Sequence, residues 1–199
     1  MADDPGCGCA VCDLHSGRHD LGKNKNKPKE KEYHCALNCA FVLADIAYRK
    51  LFGLPSNDMS KMIKSIALTF ENEDGMFRIS DKNNKFGCLV TSLAILAGAA
   101  TDKKKSAKHI ADCLKNHNNF MVNPTFSSKG FIYDALLEAD ISYGAFIVDD
   151  IIKTYKPMID VGATSFWETE LGPDDFGGIG SMCHGWSAMP IIYFAKILK

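Results

Sequence analysis

The sequence predicts an all-α fold of about seven helices. From Ala36 onward, apolar residues recur at three- and four-residue spacing, which is the period of an amphipathic helix. The segments between these runs are short and contain the Gly, Pro, Ser and Asp residues that start or stop helices. Only residues 75–80 have the character of an extended stretch. Short connections favour antiparallel helical hairpins.

The first predicted helix begins near Ala36 and stops at Gly53 and Pro55. The second is capped by Ser56 or Asn57. The apolar residues at helical spacing in the first helix are Leu37, Phe41, Ala44 and Tyr48. The apolar face of the second helix consists of Met59, Met62, Ile63, Ile66 and Phe70.

The third predicted helix runs from about Phe86 to Ala100 and is apolar on most sides, which indicates deep burial. Thr101 or Asp102 caps the fourth, and Ser127 or Ser128 opens the fifth. The apolar faces of the fourth and fifth consist of Ile110, Ala111, Leu114, Ile132, Ala135, Leu136 and Ala139.

A sixth helix is predicted from Asp140 to Ile159, and a seventh from Gly185 to Leu198. The face of the sixth is formed by Phe146, Ile147, Ile151 and Tyr155. Residues 161–184, which lie between these two helices, are rich in Gly, Pro and Asp. We therefore expect a long loop there, at one end of a helix layer.

Composition excludes several classes of protein. A length of 199 residues with 46% hydrophobic content fits one globular domain with a sizeable core. The net charge of -1 argues against nucleic acid or an anionic membrane as a partner, and no apolar run approaches the ~20 residues of a membrane span. The first residues lack a secretory pattern, and the eight cysteines are not arranged as a small disulfide framework. These features predict a cytoplasmic protein with reduced thiols.

Residues 1–34 are predicted to form an irregular segment, separate from the helical domain at 35–199. The Lys-rich run at 23–32 is typical of a solvated surface segment. Thiol and imidazole groups suit Zn²⁺, and this segment begins with Cys7, Cys9, Cys12, His15 and His19. Their spacing lacks the paired knuckles of common zinc modules. A metal-binding protein is therefore the third hypothesis, and the main site is predicted to contain no metal or cofactor.

Two aromatic segments near the end of the chain carry the strongest functional signal. They read Gly162-Ala-Thr-Ser-Phe-Trp-Glu168 and Cys183-His-Gly-Trp-Ser-Ala-Met-Pro190, and they contain both tryptophans of the protein. A carboxylate, an imidazole and two large aromatic faces on one loop are suited to a sugar ring. The rings cover its C–H faces, and the polar groups reach its hydroxyls.

These motifs, together with Tyr193, closely resemble the end of the catalytic domain of bacterial α-L-rhamnosidases. Members of that family are inverting glycoside hydrolases with an (α/α)6 toroid of six helical hairpins. The resemblance extends more weakly back to about Glu32. It implies that residues 35–199 form the C-terminal half of such a toroid, and that the substrate is a terminal α-L-rhamnoside.

The resemblance also implies a role for each motif residue. Glu168 is expected to be the general base that activates water. Trp167 is expected to shape the sugar pocket, His184 to bind sugar hydroxyls, and Trp186 to form a second wall of the pocket.

The half of the toroid that carries the general acid of the family has no counterpart in this sequence. Inverting hydrolysis needs two carboxyl groups. Asp174 and Asp175 are candidates for the second, although Pro-Asp-Asp is also a common turn. We therefore expect little activity from the chain alone, and either a homo-oligomer or a complementing N-terminal half as its partner. The alternative is a non-catalytic helical module that binds carbohydrate or protein.

Overall fold

The computed structural model describes residues 31–116 and 120–198. The cysteine and histidine cluster at 7–19 lies outside these residues, as does most of the predicted irregular segment. The described part contains seven α-helices: α1 (Cys35–Leu51), α2 (Ser60–Phe70), α3 (Cys88–Leu96), α4 (Lys103–Asn116), α5 (Phe126–Ala139), α6 (Gly144–Asp160) and α7 (Pro190–Ile197).

Strand structure is limited to two short parallel strands, β1 (Phe86–Gly87) and β2 (Met121–Val122). Three 3₁₀ helices complete the described elements: Ile141–Tyr143, Gly172–Gly177 and Gly185–Ala188. The predicted all-α fold of about seven helices is confirmed. Its arrangement as half of a toroid stays a prediction.

Several predicted helix ends differ from the structure because other side chains satisfy the free backbone N–H groups. Asp58, rather than Ser56 or Asn57, accepts a hydrogen bond from Ser60 N at the start of α2. Thr125 forms a capping box with Ser128 at the start of α5, so this helix begins at Phe126.

Three further helix ends have a clear local cause. Asp102 Oδ1 accepts from the backbone of Lys104 and Lys105, which confirms Asp102 as the cap of α4. Asp140 caps the 3₁₀ helix Ile141–Tyr143 by accepting from Ser142 N, so α6 starts later than predicted. Gly98 has φ +74°, a left-handed conformation that ends α3 four residues before Ala100.

The apolar side chains that set the spacing of α1 lie on its exposed side. Leu37 is 50% exposed, Phe41 59% and Tyr48 56%. The opposite face, with Cys35, Ala36, Cys39 and Val42, is buried instead. This face contacts α3. Helix α1 therefore presents a large apolar surface to solvent.

Helix α3 is deeply buried, as its mostly apolar sequence predicts. Every residue from Cys88 to Ile95 is buried. Leu89, Val90 and Leu93 belong to a core cluster shared with α1 and α2. Cys88 and Ile95 belong to a second cluster, shared with α4, α5, α6 and α7. One helix therefore contributes to both cores.

The helices pack in a regular order. Sequence neighbours contact each other in the pairs α1–α2, α3–α4, α4–α5 and α6–α7. In addition, α3 contacts both α1 and α5, so alternate helices lie side by side. Within the described residues, no helix has the length and apolar character needed to cross a membrane.

Candidate functional site

The loop between α6 and α7 has the irregular structure that its sequence predicts. Outside the 3₁₀ helix Gly172–Gly177, residues 161–184 form turns, bends and extended stretches. Two backbone hydrogen bonds join the two motifs. Glu168 N donates to Ser181 O at 2.8 Å, and His184 N donates to Phe166 O at 2.8 Å. A side-chain bond from Ser165 Oγ to Met182 O adds to the same contact.

This pairing brings three of the four predicted site residues together. His184 Nε2 lies 3.9 Å from Glu168 Oε1. The imidazole also stacks on Trp186, with ring centroids 3.6 Å apart and an interplanar angle of 13°. The side chains of Glu168 and His184 are 24% and 30% exposed, so a ligand from solvent can reach them.

The distance between Glu168 and His184 has a chemical consequence. At 3.9 Å the two groups are too far apart for a direct hydrogen bond, but a water or a sugar hydroxyl can bridge such a gap. His184 Nδ1 is buried and has no hydrogen-bond partner among the described residues. The imidazole is thus held by its stacking on Trp186 and by its backbone, and Nε2 is the nitrogen that faces the carboxylate.

Trp167 does not join this group. It packs against the second core cluster and lines a groove of about 610 Å³. Glu168, His184 and Trp186 are not part of the lining of that groove, which consists of Val161, Gly162, Ala163, Thr164, Ser165, Trp167, Leu171, Pro173, Asp174, Met182 and Cys183. The structure therefore places Trp167 apart from the other three predicted residues.

Two glycines let the loop close tightly around Trp167. Gly172 has φ +55°, and a Cβ atom there would lie 2.3 Å from Trp167 Cε3. A Cβ atom on Gly180 would lie 1.9 Å from Gly172 O. Because neither position has room for a side chain, the local sequence fixes the path of the backbone beside the indole ring.

The two candidate second carboxylates have different surroundings. Asp174 lines the groove next to Trp167. Asp175 belongs to a tight turn: its carbonyl accepts from Gly178, Ile179 and Gly180, and its carboxylate accepts from Phe176 N at 2.8 Å. Asp175 therefore acts as a turn residue, and Asp174 is the candidate that remains open to solvent.

A second polar cluster, which sequence reasoning missed, lies between α5 and α6. Lys129 Nζ donates to Asp150 Oδ2 at 2.8 Å and to Thr154 Oγ1 at 3.1 Å. Tyr133 Oη donates to the same Asp150 oxygen at 2.6 Å. Burial, followed by the negative charge of Asp150, raises the pKa of Tyr133 well above its usual range. The phenol therefore stays protonated and remains a donor.

The sequence did contain a signal for this cluster. Lys129 lies three residues before Ile132, and Asp150 three residues after Ile147, so both charges fall on the buried faces of their helices. A charged residue within an apolar stripe needs a partner. The two residues are 21 positions apart on different helices, so their pairing becomes visible only in three dimensions.

Two of the buried thiols are held in their protonated, unreactive form. Cys35 Sγ lies 3.9 Å from Cys39 Sγ in the buried face of α1. The hydrogen bond with Cys39 and burial together raise the pKa of Cys35, and the bond with Cys113 and burial do the same for Cys88. No group of three or more metal-ligating side chains occurs in the described ranges 31–116 and 120–198.

Comparison of the chain with known proteins found no matching family model, no matching curated protein and no matching solved structure. The resemblance to α-L-rhamnosidases therefore stays a prediction from the two aromatic motifs.

Proposed function

We propose that the loop at 161–184 and the start of the following helix form a sugar site of the α-L-rhamnosidase type. In this proposal Glu168 is the general base for inverting hydrolysis of a terminal α-L-rhamnoside. The observation that carries it is the juxtaposition of Glu168, His184 and Trp186, which two separate sequence motifs build through paired backbone hydrogen bonds.

Each group has a role in this proposal. The Glu168 carboxylate accepts a proton from the water that attacks the anomeric carbon. His184 Nε2, on the other side of the 3.9 Å gap, binds a hydroxyl of the sugar or the attacking water. Trp186 is 37% exposed and offers an aromatic face for the C–H groups of the ring. Trp167 is assigned to the neighbouring groove.

The proposal also requires a second carboxyl group. Inverting enzymes hold their acid and base roughly 6.5–9.5 Å apart, with the acid protonating the leaving oxygen. Among the described residues, Asp175 is committed to a turn and Asp174 faces the groove rather than the Glu168 group. We therefore assign the general acid to a complementing half of the toroid outside the described residues.

Two features of the fold support a half toroid. Alternate helices α1, α3 and α5 lie side by side, which is the arrangement that successive hairpins give within one layer. Helix α1 also exposes Leu37, Phe41 and Tyr48 on one side, as expected of a helix that another hairpin covers.

Hydrolysis of 4-nitrophenyl α-L-rhamnopyranoside tests the catalytic part of the proposal. The chain alone should be nearly inactive, because loss of a general acid costs typically ~10²–10⁴ in rate. Mixing it with the N-terminal half of a full-length α-L-rhamnosidase should restore turnover. That turnover should disappear in Glu168→Gln and persist in the matched surface control Glu73→Gln. Activity that survives Glu168→Gln would refute the assignment of the base.

Binding is tested separately, by tryptophan fluorescence during titration with L-rhamnose. Trp167 and Trp186 are the only tryptophans in the chain, so a fluorescence change reports on the loop. We expect His184→Ala to weaken the response and Glu73→Gln to leave it unchanged. If no change appears at high rhamnose concentration, the loop is not a rhamnose site.

The second candidate function is a non-catalytic module that binds carbohydrate or protein. The exposed apolar side of α1 favours it, because large apolar patches usually mark association surfaces. A homodimer that pairs these surfaces would bring together two copies of Glu168 and still no family acid. Light scattering at micromolar concentration tests the homodimer, and a stable monomer mass would contradict it and the half-toroid argument from which it follows.

We also propose a cytoplasmic location. The five cysteines in the described residues are all free, including the neighbouring pair Cys35 and Cys39. Two thiols as close together as those of Cys35 and Cys39 remain reduced in a reducing compartment. Thiol titration of protein purified without reductant would test this, and the finding of fewer free thiols than cysteines would argue against it.

A further inference from the structure

A cavity of about 260 Å³ lies where α4, α5 and α6 meet the motif loop. It is separate from the Glu168 group, which does not contribute to its lining. Its lining includes the apolar side chains of Leu114, Pro124, Pro157 and Leu171. It also includes the polar groups of Lys129, Asp150 and Thr154. The cavity therefore offers both apolar and hydrogen-bonding surface.

Two of the four charged residues that line this cavity are deeply buried. The side chains of Lys129 and Asp150 are only 4% and 9% exposed. An ion pair of this kind often adds nothing to stability beyond what apolar side chains of the same size would give. The surrounding positions on α5 and α6, such as Ile132 and Ile151, are apolar. Packing alone therefore does not require charges here.

Both charged groups keep unused hydrogen-bonding capacity. The Lys129 ammonium has three protons, and two of them go to Asp150 Oδ2 and Thr154 Oγ1. Asp150 Oδ2 accepts from Lys129 and Tyr133, whereas Asp150 Oδ1 accepts no bond from the described residues. One N–H of Lys129 and one oxygen of Asp150 thus have no partner among the described residues, and both side chains belong to the cavity lining.

The balance of charge restricts what can bind. Asp150 neutralises Lys129, so an anion would meet the Asp150 carboxylate and a cation would meet the Lys129 ammonium. A neutral group that both accepts and donates satisfies the two free valences without leaving a buried charge unpaired. Adjacent hydroxyl groups have this property, and the apolar part of the lining suits the C–H groups of the same molecule.

We propose that this cavity is a binding site for a neutral polyhydroxy compound, such as a monosaccharide unit, held through Lys129 and Asp150. At ~30 Å³ per water, the volume corresponds to about nine waters, which is enough for one such unit. Lys153 and Glu170 are exposed residues of the lining and mark the side open to solvent. Leu171 lines both this cavity and the groove beside Trp167, so the two spaces are neighbours.

Methyl NMR of the full chain tests the proposal, with L-rhamnose, D-glucose and myo-inositol as probes. The methyl groups of Leu114 report on the cavity, and those of Ile66, in the first core cluster, serve as the internal control. At least one polyol should shift the Leu114 signals in a saturable way and leave Ile66 unchanged. Acetate and methylammonium should shift neither.

Three variants connect the binding to the named residues. Thr154→Val removes a hydroxyl at the cavity and should weaken the Leu114 response several-fold. The double variant Lys129→Met with Asp150→Asn removes both charges together, which avoids leaving one of them unpaired, and should weaken it at least tenfold. Glu73→Gln, at an exposed position outside both sites, should give the same Leu114 response as the unchanged protein. Thermal unfolding of each variant confirms that it is folded.

The outcomes separate this proposal from the proposed function. Leu114 signals that respond to none of the three polyols would overturn it and leave a cavity that holds water only. Binding that survives the double variant would overturn it as well. Loss of rhamnose fluorescence in His184→Ala together with unchanged Leu114 shifts would show two independent sites. A Leu114 response without any fluorescence response would support the cavity and refute the rhamnose site at the loop.

Discussion

The two polar sites of this protein hold their polar groups in opposite ways. In the loop site, Glu168 and His184 are partly exposed, and Glu168 Oε1 lies 3.9 Å from His184 Nε2. In the site between α5 and α6, Lys129 and Asp150 are buried and in direct contact at 2.8 Å. Exposed pairs contribute little to stability, whereas a buried charge depends on its partner. The first site can thus lose one member of its pair without affecting the fold, and the second cannot.

The largest effect is expected from Asp150→Ala, which leaves Lys129 buried without its counter-ion. Breaking a buried pair in this way typically costs about 3–5 kcal/mol of unfolding free energy. Urea denaturation measures the loss. Asp149→Ala is the matched control, because Asp149 is the exposed neighbour on the same helix. Equal stability of the two variants would show that the buried pair does not support the fold.

The next effect concerns the backbone around Trp167. Gly172→Ala places a methyl group against the indole ring at a left-handed φ, so both a steric clash and backbone strain oppose it. Gly177→Ala has the same kind of φ, +75°, but no atom within 4 Å of the new Cβ. Gly177→Ala should lower the unfolding free energy by about 1 kcal/mol. Gly172→Ala should lower it further and should also shift the tryptophan emission. Equal effects would show that the close packing is not needed.

A third prediction uses pH to report on the buried cluster. Unfolded Tyr133 ionises near pH 10, while the folded protein keeps the phenol protonated because its pKa is raised. Above pH 10 the unfolded state thus binds fewer protons, and stability falls as pH rises, by up to about 1.4 kcal/mol per pH unit for this residue. Tyr133→Phe should reduce this slope in alkaline denaturation. Tyr48→Phe, at an exposed position, tests whether the effect is specific.

The smallest effect is expected at the loop site. Glu168→Gln should change the unfolding free energy by less than about 0.5 kcal/mol, because the pair is partly exposed and not hydrogen-bonded. Thermal unfolding checks this. A loss comparable to that of Asp150→Ala would remove the contrast between the two sites and would make Glu168 a structural residue.

The sequence predicted most of the fold because local signals and burial agree along most helices. The mostly apolar segment Cys88–Leu96 was predicted as a buried helix, and Asp102 stands directly before the helix that it caps. The signals failed where two of them competed. On α1 the conspicuous stripe of large apolar residues is the exposed face, and the small residues Cys35 and Cys39 allow the close approach to α3.

The candidate site, like the fold, could be predicted in part from the sequence. Glu168, His184 and Trp186 lie in short motifs, so their chemistry was visible in the sequence. The direction in which each side chain points could not be predicted from the sequence. Trp167 and Glu168 are neighbours in the chain, but Trp167 lines the groove and Glu168 lies next to His184. The buried Lys129 and Asp150 resembled ordinary surface charges, because a lone lysine or aspartate on a helix is most often solvated.

Helix α3 contributes to both core clusters, and this affects how the protein unfolds. Since α3 supplies side chains to both core clusters, neither half can lose its packing without exposing a helix that the other half also needs. We therefore expect one cooperative unfolding transition for both halves rather than two. Backbone amides of α3 should exchange with deuterium only through global opening, while those of the exposed loop at 161–184 exchange through local fluctuations. A ligand that stabilises either polar site would then slow exchange along the whole of α3.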